Sequence, residues 1–445
     1  MQVIETLSEG LKRAFTVVLP AAELESKRAA RIAELGKTMQ LPGFRPGKVP
    51  LSLIRQRFGT AVAAEVLQES VDEATREVIS SHGLRPAVQP KIELQGAEPD
   101  QDVTFSLALE VLPEIPLPDF STISLTRFKS TPTEEAVEKA LATFARRQRK
   151  LERPAEPRLS RAGDVLTIDF TGSVDGVPLE ALKGSDVNVE VGPSEDFPIP
   201  GFAEQLEGLG EGDTRTITVT LPEDYPLKEA AGKTVSFEVT VKALREPILP
   251  TMDDAFAQEF GFENLAELRE AIRRQIQREY DQMSRLRLKR DLLDALAARA
   301  DYPVPETLVE AEFAQIWARV EADRAAGRLD EEDRNKDEAA LRESYRAIAE
   351  RRVRLGLLLA EVGRANNITV SKDEMGRLAW AEASRYPGQE GKVLELFRKN
   401  PEMLEALRGP LYEDKVIDFI LELVKPAEQD VSAEELRESL ERETV

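Results

Sequence analysis

Prolines constrain this chain before any other feature, because a residue without an N–H donor and with φ fixed at about −65° ends helix and central strand alike. Three clusters do so: Leu112-Pro113-Glu114-Ile115-Pro116-Leu117-Pro118, Arg153-Pro154-Ala155-Glu156-Pro157 and Glu246-Pro247-Ile248-Leu249-Pro250. They predict four stretches, 1–112, 113–149, 150–246 and 247–445, that fold by different rules.

The first stretch reads α+β. Arg13–Leu19 and Val103–Val111 suit strands, the latter placing Val103, Phe105, Leu107, Leu109 and Val111 on one face. Helices are expected over Ala22–Gln40 and Thr60–Ser81. The second stretch is a linker with a charged helix near Pro132–Leu151. The third reads β: Asp164–Phe170, Val187–Val191, Thr214–Leu221 and Thr234–Leu244 are β-branched runs broken by Gly and Pro. The fourth is helical. Leu265, Leu268, Ile272, Ile276, Tyr280 and Met283 recur at helical spacing, Pro305 opens a further helix, and Ser371-Lys372-Asp373-Glu374 is a capping box. Narrow apolar stripes on long helices suit extended arms. The last 18 residues, from Glu428, are polar and read as disordered.

Charge is distributed just as unevenly. The chain has 82 Asp and Glu among 445 residues and a formal net charge of −22, which excludes whole-molecule attraction to nucleic acid. Yet no acid lies between Glu34 and Glu65, where Lys37, Arg45, Lys48, Arg55 and Arg57 fall. There is no cysteine and one histidine, His82. Thiolate chemistry, disulfides and multi-histidine metal sites are thereby excluded, and so is a serine triad unless it uses that residue. No metal or cofactor is expected. Without a signal-like apolar run or a membrane-length one, the expectation is a cytosolic protein.

At the centre of the acid-free window stands Gly43-Phe44-Arg45-Pro46-Gly47-Lys48-Val49-Pro50. Pro46-Gly47 suits a tight turn, with Pro42 and Pro50 stopping helix on either side. Phe44, Arg45 and Lys48 then stand at its tip, an arginine for phosphate or carboxylate beside a ring for stacking. An ordinary helix connection with solvated charges fits the same residues. A nucleotide-binding P-loop does not, because Val49 stands where Ser or Thr would hold magnesium.

This octapeptide resembles the ribosome-binding signature of the bacterial trigger factor family. The resemblance implies that Phe44, Arg45 and Lys48 contact the large ribosomal subunit beside the exit tunnel, against a ribosomal protein and nearby rRNA. Pro46 departs from the basic residue found there in well-known members. The third stretch, with Val-Leu-Thr-Ile-Asp-Phe-Thr-Gly at 165–172, Ile199-Pro200-Gly201-Phe202 and Pro222-Glu223-Asp224-Tyr225, resembles an FKBP-type peptidyl-prolyl isomerase. That implies a proline pocket lined by Phe170, Ile199, Phe202, Tyr225 and Phe237 with Glu180 at its rim, although the rings equally suit a plain core. Leu179 replaces the family's usual phenylalanine, and the loop before Ile199 is longer, so a reshaped pocket of low activity is expected.

The resemblance covers nearly the whole chain. It implies a multidomain α+β protein: a ribosome-binding domain, an FKBP-like antiparallel β domain with a short helix, and an extended all-α C-terminal domain with helical arms. It further implies an ATP-independent chaperone that engages nascent and unfolded polypeptides, does not enter membranes, and forms a homodimer when free. A free cytosolic isomerase with recruiting helices, or a ribosome- or RNA-binding factor without chaperone action, fits the same residues. Phe313, Trp317 and Trp380 read as helix-packing residues rather than sites.

Overall fold

The computed structural model describes residues 1–38, 49–96, 101–193, 197–222, 225, 227 and 229–441. Phe44, Arg45 and Lys48, the expected ribosome contacts, lie outside the described residues, as does Pro46. Two compact units divide the chain, Met1–Leu125 with Lys289–Ala427, and Thr126–Leu288 with Glu428–Val445.

The N-terminal region is α+β as expected. Strands β1 (Gln2–Glu9) and β2 (Lys12–Leu19) precede helices α1 (Ala21–Thr38) and α2 (Leu51–Ser81), followed by β3 (Lys91–Gly96) and β4 (Val103–Glu110). The sheet is antiparallel in the order β1-β2-β4-β3. Phe15, Val17 and Leu19 of β2 and Phe105, Leu107 and Leu109 of β4 meet Leu24 of α1 and Val71, Ala74 and Val78 of α2. A second cluster, Ile32, Val49, Ile54, Val62 and Val66, joins the two helices at the end that carries the basic segment. Helix α2 therefore starts at Leu51, not near Thr60. Gly59 inside it costs about 1 kcal/mol relative to Ala, less than the burial of Ile54 and Val62 returns at roughly 1.5–3 kcal/mol each.

Next come β5 (Thr126–Lys129), α3 (Glu134–Arg147) and β6 (Lys150–Glu152), then β7 (Val165–Val174), β8 (Val177–Glu190), β9 (Thr214–Thr220) and β10 (Thr234–Ile248). These last strands, with β6, form an antiparallel sheet ordered β6-β10-β7-β8, with β9 also paired to β10. Asp175 and Gly176, both at positive φ, make the two-residue turn that joins β7 to β8. Leu166, Ile168, Ile217, Val235, Phe237 and Val239 alternate inward to build the core. Helices α4 (Asp254–Glu259) and α5 (Leu265–Ala297) follow. Leu141 and Ala145 of α3 pack on Phe256, Ala257 and Leu268.

The remaining helices are α6 (Glu306–Ala325), α7 (Glu331–Arg334), α8 (Glu338–Ala365), α9 (Lys372–Ala383), α10 (Glu390–Lys399), α11 (Pro401–Ala406) and α12 (Arg408–Val424). Pro305 caps α6, and the Ser371/Glu374 capping box opens α9, both as expected. The chain ends with β11 (Ala427–Asp430) and α13 (Ala433–Glu441). Through Glu441 this corrects the expectation of a disordered tail, residues 442–445 lying outside those described: β11 pairs with β5, Lys129 reaches Glu428 at 2.5 Å, and Leu436 is fully buried. Polarity misleads there because a short edge strand needs only backbone partners. Among the described residues no helix is long and apolar enough to cross a membrane.

Candidate functional site

The aromatic side chains of the β domain converge. Phe170 points inward from β7 and Phe237 from β10, while Phe202 comes from the turn before a short 3-10 helix at Ala203–Leu206. Ring centroids of Phe202 and Phe237 are 5.2 Å apart, nearly perpendicular. Phe170 lies 5.7 Å from Phe202 and 6.0 Å from Phe237, again edge to face. Such pairs favour the positive ring edge over the negative face and lock ring orientation. Ile199 joins the same cluster.

Burial grades this cluster into a floor and a rim. Phe202 and Phe237 are 0% exposed and Ile199 is 4% exposed, so they form the floor. Phe170, Leu179 and Tyr225 are only partly buried against it. Phe197 belongs with them, stacked on Phe202 at 4.9 Å. Phe197 was not among the expected lining residues; its signal in the sequence is an aromatic in the loop that precedes Ile199. The five expected lining residues lie together in this cluster. Glu180, expected at the rim, is 91% exposed on its side chain and 3.8 Å from Lys183.

The electrostatics lie outside the aromatic cluster. On the outer face, the Asp169 carboxylate meets Lys242 at 2.8 Å and accepts from Ser185 Oγ at 2.8 Å and the Asp186 amide at 2.9 Å. The Lys242 bond, reinforced by the other two, holds Asp169 down at about 2. At the strand end, Arg158 donates to both Asp164 oxygens, at 2.5 and 2.8 Å, and to Glu246 at 2.9 Å. Burial pushes the Asp164 carboxyl up, and Arg158 with the Arg161 amide brings it below its usual range. An aromatic cluster of this kind, with one phenol among its partly buried members, offers a flat hydrophobic surface. It is poorly equipped for hydrolysis. No group of three or more metal-ligating side chains occurs among the described residues.

At the basic segment, the described flanks account for part of the charge. Arg55 is paired with Glu25 of α1, so it is not free for a polyanion. Lys37 and Arg57 are exposed. Gly36 allows the close helix approach that brings the two ends together: a Cβ there would stand 2.8 Å from Leu51 Cδ2.

The C-terminal helices divide the remaining aromatics. Phe313 and Trp317 stack and pack with Val320 and Leu341, as expected. Trp380 does not pack. It is 58% exposed, and Tyr386, Leu396 and Met403 are each about half exposed on the same stretch, where α10 and α11 bury no residue.

Residues 1–144 match the model of the bacterial trigger factor protein family and residues 264–422 that of its C-terminus. Residues 156–242 match the FKBP-type peptidyl-prolyl cis-trans isomerase family. The trigger factor of Granulibacter bethesdensis is 57% identical over 436 residues, covering 98% of each chain. That of Gluconacetobacter diazotrophicus is 57% identical over 441 residues, covering 98% of this chain and 99% of the other. A solved structure of the trigger factor chaperone, described for promiscuous substrate recognition in folding and assembly, covers 95% of this chain at TM-score 0.53 and 18% identity, a likeness of fold.

Proposed function

The chain belongs to the trigger factor family of chaperones and carries an FKBP-type isomerase domain, and on that premise we propose that it docks at the ribosomal exit tunnel, shields emerging chains and isomerises their prolyl bonds. The observation that carries the isomerase part is the graded aromatic cluster, a dry floor of Phe202 and Phe237 under partly open Phe170, Phe197 and Tyr225.

Rotation about an X–Pro bond faces a barrier of about 18–20 kcal/mol, because amide resonance is lost at the perpendicular geometry. The twisted amide is less polar than the planar one. A dry aromatic floor therefore favours it relative to the ground state, without any proton transfer. The proline ring sits against the partly open rings of Phe170 and Phe197 above the floor of Phe202 and Phe237, and the Tyr225 hydroxyl donates to the substrate carbonyl. Leu179, narrower than a phenyl ring, leaves one wall thin, which suits low selectivity for the residue before proline.

Client binding rests on the exposed apolar side chains of the segment from Trp380 to Met403. Each offers weak attraction alone, and an unfolded chain engages several at once. Docking rests on Phe44, Arg45 and Lys48. Basic side chains meet rRNA there, while surplus negative charge elsewhere keeps client-bearing surfaces soluble.

Two assays test the folding functions together. The full chain should accelerate proline-limited refolding and suppress aggregation of a denatured client. Replacing Trp380, Leu396 and Met403 with serine should impair only the second. Loss of neither activity in that variant would contradict the client-binding assignment.

A further inference from the structure

Two β-bulges meet at one residue beside the aromatic cluster. Strand β7 places Ile168 and Phe170 inward and Asp169, between them, outward. On β8 the register jumps from Val187 opposite Ile168 to Gly184 opposite Phe170, so Ser185 and Asp186 bulge out across from Asp169. On β10, Val241 faces Ile168 and Ala243 faces Thr167, which leaves Lys242 as the extra residue of a second bulge. The Asp169 carboxylate reaches both. It takes Ser185 Oγ at 2.8 Å and the Asp186 amide at 2.9 Å on one side, and Lys242 Nζ at 2.8 Å on the other. Lys242 closes the circuit to Asp186 at 2.8 Å.

The β8 bulge has a direct consequence inside. Asp186 sits at φ 55°, in the left-handed region that few residues with a side chain other than Asp and Asn adopt, and so shapes the bulge. That turn sets Gly184 against the Phe170 ring so closely that a Cβ on it would lie 2.5 Å from Cε1 and 2.7 Å from Cζ. The ring lies on bare backbone at Gly184, and its aromatic neighbours include Phe197, Phe202 and Phe237. Bulges beside active sites commonly re-aim a side chain.

Resting on the isomerase reading above, we propose that Asp169 and Lys242 form a positioning clasp for prolyl isomerisation: by pinning the bulge they seat Gly184 under Phe170 and fix the ring that walls the proline site. Neither residue touches substrate. The clasp acts from the solvent side of the sheet through one glycine and one ring. Gly184 is part of the device, since any larger residue displaces the ring it supports.

The test is a double-mutant cycle in the full chain, read by kcat/KM on a prolyl peptide. Asp169→Ala is expected to lower kcat/KM about tenfold, because small displacements of a binding wall are felt strongly in catalysis. In a Phe170→Leu background the same change is expected to have less than about a twofold effect, since its route is already gone. Asp169→Asn, which keeps an acceptor for the Asp186 amide, is expected to restore most of the loss and guards against a variant that fails to fold. Equal losses in both backgrounds would overturn the proposal and leave Asp169 as a mere sheet stabiliser. Fluorine-labelled phenylalanine supplies a readout independent of activity: the Phe170 signal, identified by its absence in Phe170→Leu, should move in Asp169→Ala while that of Phe15 stays. An unmoved Phe170 signal overturns the clasp. A wild-type chain without isomerase activity overturns the isomerase reading instead, and the ring signal then still decides whether the clasp positions Phe170.

Discussion

Lys415 of α12 holds Glu374, on the first turn of α9, at 2.8 Å, and donates a second bond to the Thr369 carbonyl at 2.6 Å. Glu374 also accepts from the Ser371 amide and hydroxyl, both at 2.8 Å. These contacts attach the helix that carries Trp380 to the one that carries the buried Ile417 and Ile420.

The Lys415 bond, ahead of those from Ser371, holds the Glu374 carboxyl at about 2, below its ordinary 4.5. A depressed carboxylate adds stability that is complete above the ordinary value and fades as pH falls toward the folded one. The α9–α12 attachment should therefore weaken between about pH 4.5 and pH 2. Trp380 fluorescence in a Trp317→Phe background should change in that window, and Lys415→Met should remove the dependence. A flat Trp380 signal across the window would contradict the attachment.

Gly363 of α8 lies against Tyr412 of α12, where an added Cβ would stand 1.9 Å from Oη and 2.6 Å from Cζ. Gly363→Ala should therefore destabilise, by about 1–3 kcal/mol for overpacking less roughly 1 kcal/mol regained in helix propensity. Tyr412→Leu in the same chain should relieve the clash. Urea midpoints of the single and double variants separate the two terms, and an effect of Gly363→Ala that is the same with and without Tyr412→Leu would refute the packing.

Within the aromatic cluster, burial separates stability from activity. Phe237→Ala should cost the β domain about 3–5 kcal/mol, as full truncation of a buried ring does. Tyr225→Phe removes only a hydroxyl at a partly buried position and should lower prolyl turnover with little change in melting. A Tyr225→Phe variant with unaltered turnover would remove the phenol from the mechanism.

Arg158 joins the start of the β domain to its end, binding Asp164 and Glu246. Asp164 is only 5% exposed on its side chain. Arg158→Met should thus strand a buried carboxylate and cost about 3 kcal/mol, read as a lower denaturant midpoint for the domain. Adding Asp164→Asn should return part of that loss.

Much of this architecture was legible where pattern and burial coincide. The alternation in β4 and the capping box before α9 are local and survive folding unchanged. Strand β1 escaped notice because almost every side chain in it is exposed, so no alternation marks it. Strand β8 runs well beyond Val187–Val191 because the Asp175-Gly176 turn sets it in register with β7 despite its polar residues. The aromatic lining followed from the resemblance to the FKBP family, because the residue types alone suit a plain core equally well. The Asp169 clasp was not: nothing in Lys-Gly-Ser-Asp at 183–186 says that it opposes Asp169 until the strands are paired.

Docking at the ribosome, as proposed, is tested most directly by co-sedimentation. Full-length protein and a Phe44→Ala, Arg45→Ala, Lys48→Ala variant are spun with ribosomes at low and moderate salt. The wild type should pellet with ribosomes and release as salt rises, because the contact neutralises phosphate charge. The triple variant should stay in the supernatant while retaining prolyl isomerase activity. Undiminished pelleting of the triple variant would contradict docking through this turn.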